Sequence, residues 1–141
     1  MPTPDNGVEL DTRHWPVLVT RVFNVHTPEP IQQHFARVGE IVRERNEPYA
    51  MIVDLRRVAG LSASQRAVVI RGVRDQEQTG ELSTVTALVF ASGFVRSVLT
   101  AFLWVKKPSR PLIACKTFEE ALARCQEHLA CRRAEAADGA E

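Results

Sequence analysis

The chain has 141 residues, 45% hydrophobic and 25% charged, an ordinary globular balance for one domain with a sizeable core. Eighteen lysines and arginines stand against seventeen aspartates and glutamates, a formal net charge of +1, which excludes the strongly basic footprint of a dedicated nucleic-acid binder. Three irregularly spaced cysteines, Cys115, Cys125 and Cys131, suit neither a disulfide framework nor a metal site, so free thiols are expected.

Residues 1–7 are rich in Pro, Asp, Asn and Gly and are expected to fray. The opening "MPTPDNGVELDTRHW" lacks a basic region followed by an apolar one, and no apolar run approaches the roughly 18 residues of a membrane span. A cytoplasmic protein is expected. "VELDTRHW" and "PVLVTRVFNV" read as a hairpin whose first strand carries the charge that suits a sheet edge. Thr27 before Pro28 opens a helix that runs to Asn46, with Ile31, Phe35, Val38 and Val42 as its apolar stripe. His34 lies beside that stripe, where a surface or boundary histidine is expected rather than a ligand.

"YAMIVDL" and "TVTALVFA" are apolar on both faces, the pattern of central parallel strands covered by helices. Between them, Ser62-Ala63-Ser64-Gln65 has capping-box spacing and opens a helix that Gly80 is placed to close. A third helix spans 94–106, with Phe94, Val98, Ala101, Phe102 and Val105 toward the sheet and Val95, Leu99, Leu103 and Trp104 nearer the surface. "PLIACK" is the last strand. Thr117-Phe118-Glu119-Glu120 repeats the capping pattern and opens a helix to about Cys131, with Phe118, Ala121 or Leu122, Cys125 and Leu129 inward. Cys125 is then a core residue, Cys131 falls off the stripe, and 132–141, "RRAEAADGAE", is expected to fray. The reading is one α/β domain over 8–131, a mostly parallel sheet of about four to five strands flanked by about four helices.

Strand ends are the usual places for chemistry in an α/β sheet. Asp54 closes a central strand, where a carboxylate can bind Mg²⁺ or accept a phosphoryl group. That reading needs an acidic pair after the first strand and a placed lysine; the strand ends "VFNVHT", and the lysines are Lys106, Lys107 and Lys116. An Asp that hydrogen-bonds its own loop is the expected role. No glycine-rich turn cradles a phosphate, Ser62 and Ser64 lack a nucleophile-elbow setting, and His14, His26, His34 and His128 form no ligand pair. No catalytic residue, metal or cofactor is expected.

"MIVDLRRVAGLSASQRAVVI" resembles the segment of sporulation anti-sigma-factor antagonist (STAS) domains in which an apolar strand ends in Asp-Leu and a short loop leads to Asp-Ser-Ser-Gly at a helix start. Asp54-Leu55 matches the strand end, Val58 and Leu61 the loop's apolar positions, and Ser62-Ala63-Ser64-Gln65 the helix start. The layout over 8–131 is similar as well, and the resemblance implies a single small β/α superhelix. It departs where it matters: the serine phosphorylated in partner-switching members is Ala63 here, leaving no hydroxyl at the usual site. "LSASQR" with "FVRSVLTAFLW" is also similar to a divergent bacterial STAS-like branch related to the CRAL-TRIO lipid-transfer domains.

The resemblance implies a non-enzymatic regulatory or scaffolding module, of a signalling kind, that binds a protein partner. Its expected surface holds Arg56, Arg57, Ser62, Ser64, Arg66, Arg71 and Arg74. Leu99, Leu103 and Trp104 are the expected self-association patch of a homodimer, which sedimentation equilibrium would detect. The alternative is a small-ligand or lipid carrier of the CRAL-TRIO type, distinguished by a bound adduct in native mass spectrometry.

Overall fold

The computed structural model describes residues 7–23, 29–57, 82–89 and 112–139. In chain order its elements are β1 (Val8–Asp11), β2 (Val17–Val22), α1 (Glu29–Arg45), β3 (Tyr49–Asp54), β4 (Ser83–Val89), β5 (Leu112–Cys115) and α2 (Phe118–Gly139). The strands form one five-stranded sheet in sequential order, with β1 antiparallel to β2 and every later pair parallel. This is the expected mixed α/β sheet. The helices expected over 62–80 and 94–106 lie outside the described residues.

Strand alternation sorts the core into two layers. Val17, Val19, Ala50, Ile52, Val85, Ala87 and Val89 face α2, which meets them with Ala121, Cys125 and Leu129. Leu18, Tyr49 and Met51 face the other way, onto Val38 and Val42 of α1. Strand β3 thus buries both its faces, as its unbroken apolar run requires. At roughly 1.5–3 kcal/mol for each large side chain taken fully out of water, these layers are the main source of stability.

The helix ends have local causes. Asn46 takes a positive φ of 49° and donates its N–H to the Val42 carbonyl at 2.9 Å, closing α1 in the left-handed conformation that asparagine tolerates. At the start of α2, Thr117 Oγ1 accepts from the Glu120 N–H at 3.1 Å, while the Glu120 carboxylate accepts from the Lys116 N–H at 3.1 Å. The reciprocal bond thus reaches one residue further back than the capping box in its usual form.

Two sequence expectations are corrected. His34 is buried, because it sits one turn before Val38 on the face α1 turns to the sheet, and its Nε2 lies 2.9 Å from Thr20 Oγ1. Helix α2 does not stop near Cys131 but runs through most of the expected tail to Gly139. Its extension is rich in Ala, Arg and Glu, good helix formers, and Arg132 ties it to the sheet by donating to the Leu82 carbonyl and Thr84 Oγ1, both at 2.9 Å. Residues 1–6 of the expected fraying end lie outside the described residues; Gly7 accepts the Phe23 N–H on its carbonyl at 2.9 Å and supplies the φ of +113° that leads into β1.

Candidate functional site

The same tripeptide pattern, Asp-x-Arg, follows two strands and builds the same structure twice. Asp54 Oδ1 accepts from the Arg56 backbone N–H at 3.1 Å and from Nε at 3.0 Å, while Oδ2 accepts from Nη2 at 2.8 Å. Asp11 holds Arg13 alike, at 2.9, 3.0 and 2.7 Å, and its Oδ2 also accepts from Arg21 Nη1 at 3.0 Å. In both, a carboxylate closes a two-residue turn and grips the guanidinium fork-on. The Arg13 guanidinium, helped by Arg21, holds the Asp11 carboxyl well below the usual carboxylate range despite burial. Burial pushes the Asp54 carboxyl up, but the bonds from Arg56 outweigh it and the net shift is downward.

Asp54 therefore has both carboxylate oxygens engaged in its own loop. This argues against the phosphoacceptor role and agrees with the loop-bonding role expected for it. The thiols of Cys115 and Cys125 are pushed up by burial, Cys125 to about 12 with Cys115 adding to the effect, so both stay protonated and poorly nucleophilic at neutral pH. Among the described residues no group of three or more His, Cys, Asp or Glu side chains could hold a metal ion.

The register of the sheet gathers charge at its carboxyl end. Arg21 stands opposite Glu9 on β1 and beside Asp54 on β3. It pairs with Asp11 at 3.0 Å and Glu9 at 3.8 Å, and lies over the Phe118 ring at 5.6 Å. Between β2, the β3 end and the turn after it opens a cleft of about 270 Å³. Val22 and Phe23 form its apolar part, Glu9 and Asp54 its acids, and Arg21, Arg56 and Arg57 its bases. Clefts at the carboxyl ends of parallel strands are the usual ligand positions of open α/β sheets. This one is small and charged, unlike the apolar chamber that would take a lipid tail.

Of the residues expected at the partner surface, Arg56 and Arg57 are exposed on the turn after β3 and share the cleft. Ser62, Ser64, Arg66, Arg71 and Arg74 lie outside the described residues, as do Leu99, Leu103 and Trp104 of the expected self-association patch. Sequence reasoning missed Arg21 and Phe23. The repeated Asp-x-Arg pattern was a visible signal for the turns, but Arg21 joins the group only through hairpin register.

No described helix is long and apolar enough to cross a membrane. Comparison of the chain with protein-family models, with curated proteins and with solved structures finds no significant match, so the reading of this site rests on its own residues.

Proposed function

We propose that the chain is a non-enzymatic regulatory or scaffolding module that binds another protein through the surface running from Arg56 to Arg74. The observation that carries this reading is the turn after β3. There the one acid at the end of the strand is consumed in fixing the loop, while Arg56 and Arg57 are held outward beside a cleft. A site built for reaction would leave the carboxylate open to its substrate; a rigid turn with exposed arginines suits recognition instead. Further along the segment, Arg66, Arg71 and Arg74 extend the basic character.

The sequential order of the parallel strands β2 to β5 is the arrangement of a small β/α superhelix, and it supports the STAS-like reading of the fold. Fold likeness by itself supplies no function. With Ala63 at the position of the usual phosphorylated serine, the module would be controlled otherwise than by phosphorylation there. The test is co-purification of the full chain from its native cell beside an Arg66→Glu variant. A specific partner lost with the charge reversal is the expected result; an unchanged set of partners removes this surface from consideration.

A further inference from the structure

We propose that the cleft at the carboxyl ends of β2 and β3 receives a carboxylate from an acidic segment of the protein partner, with Arg57 as the group that takes it. This rests on the protein-binding reading above and gives that partner a chemistry.

The argument starts from charge. Arg56 is matched by Asp54 at 2.8 Å, and Arg21 by Asp11 at 3.0 Å and Glu9 at 3.8 Å. Arg57 has no carboxylate within ion-pair distance among the described residues. Its guanidinium instead lies over the ring of Phe23, 5.5 Å from the centroid. A guanidinium held against an aromatic face keeps its N–H groups free for a carboxylate, which it can grip bidentately. The platform is itself fixed, since Phe23 is buried and its N–H is bonded to the Gly7 carbonyl. Among the described residues Arg57 is thus a cation held on a fixed platform and matched by no acid, at the rim of a cleft whose other arginines are already paired.

Size and sign then select the ligand. The cleft's 270 Å³ falls at the lower margin of small-molecule sites, which run from roughly 300 Å³ upward. Glu9 and Asp54 also line it, so a nucleotide or other polyphosphate would bring several negative charges against two carboxylates. One carboxylate needs one open guanidinium, and among the described residues lining the cleft Arg57 supplies it. An acidic side chain on a protein surface fits both the size and the charge of the cleft.

Fluorescence anisotropy with a labelled hexaglutamate peptide tests this on the full chain. The peptide is expected to bind at low salt, and a hexaglutamine peptide is not. Arg57→Gln should weaken binding about tenfold, the usual loss for a charge-assisted hydrogen bond. Arg57→Lys, which keeps the charge but not the fork, should fall between, and Arg133→Gln on the exposed far part of α2 should change nothing. Hexaglutamate affinity insensitive to Arg57→Gln overturns the proposal, as does displacement of the peptide by ATP or a short oligonucleotide at far lower concentrations than by free glutamate peptides. Repeating the cellular co-purification with Arg57→Gln separates the two readings. A partner lost with Arg66→Glu but kept with Arg57→Gln defeats the carboxylate site and leaves the protein-binding module standing. Hexaglutamate bound through Arg57 with no cellular partner captured defeats the module and leaves the anion site.

Discussion

Acidification from neutral pH to about pH 4 is expected to destabilise the fold by about 3 kcal/mol through one buried side chain, His34. The imidazole lies in α1 against the sheet, only 8% exposed, with Nε2 at 2.9 Å from Thr20 Oγ1 and its ring edge-on to Phe35. Burial disfavours the imidazolium, and the nearby Arg37 adds to the effect; together they lower the group from 6.5 to about 4. Between these two values the unfolded chain binds a proton that the folded chain refuses. The stabilisation is therefore complete above about pH 6.5, falls as the pH drops through the window, and is exhausted near pH 4. Asp11 and Asp54, both shifted downward, contribute stability above their ordinary value of 3.8 that is lost only at lower pH, so the windows separate. Urea unfolding at pH 7 and just above pH 4, on the wild type and on His34→Gln, reads the effect. The wild type should lose much more than the variant, and equal losses would show that His34 titrates normally.

The second large effect belongs to Asp54. Asp54→Ala removes three hydrogen bonds to a carboxylate at the end of the central strand, two of them from the Arg56 guanidinium, and should cost roughly 2–3 kcal/mol. Asp54→Asn keeps an acceptor for the Arg56 N–H but gives up the charge opposite the guanidinium, and should cost about 1 kcal/mol. The carboxylate is nearly out of solvent but the Arg56 side chain is 43% exposed, so solvent screening keeps the Asp54→Ala cost at the low end of its range. A phosphoacceptor or metal-binding aspartate would behave in the opposite sense, since a lone acid kept open for a ligand is relieved by neutralisation. Guanidinium denaturation of the two variants distinguishes the cases: unchanged or increased stability in Asp54→Ala would contradict the role of a turn-closing group.

The strands were legible because their patterns have single physical meanings. A run such as "YAMIVDL", apolar from Tyr49 to Val53 before the acid at its end, has only a doubly covered strand to occupy, and β3 lies inside it. Spacing also placed Phe118, Ala121 or Leu122, Cys125 and Leu129 on one helix face; Ala121, Cys125 and Leu129 are buried, with Phe118 and Leu122 partly buried beside them. His34 shows the opposite case. Its position was legible, since it precedes Val38 and Val42 by regular helical steps, but residue type suggested a boundary; the partner that makes burial tolerable, Thr20, is known only once β2 is placed beside α1. The tail after Cys131 misled for a related reason: small polar composition resembles a frayed end, yet Ala, Arg and Glu are strong helix formers when an anchor such as Arg132 holds them. At the candidate site, Asp54 and Arg56 could be paired from their spacing alone. Arg21 and Phe23 could not, because long-range register brings the hairpin to the β3 turn.

Recognition of a protein partner along residues 56–74 is tested most directly by hydrogen–deuterium exchange on the full chain with and without a partner captured from the native cell. Slowed exchange is expected across the turn after β3 and the stretch through Arg74, with the outer face of α2 unchanged. Protection confined to α2, with none over 56–74, would contradict it.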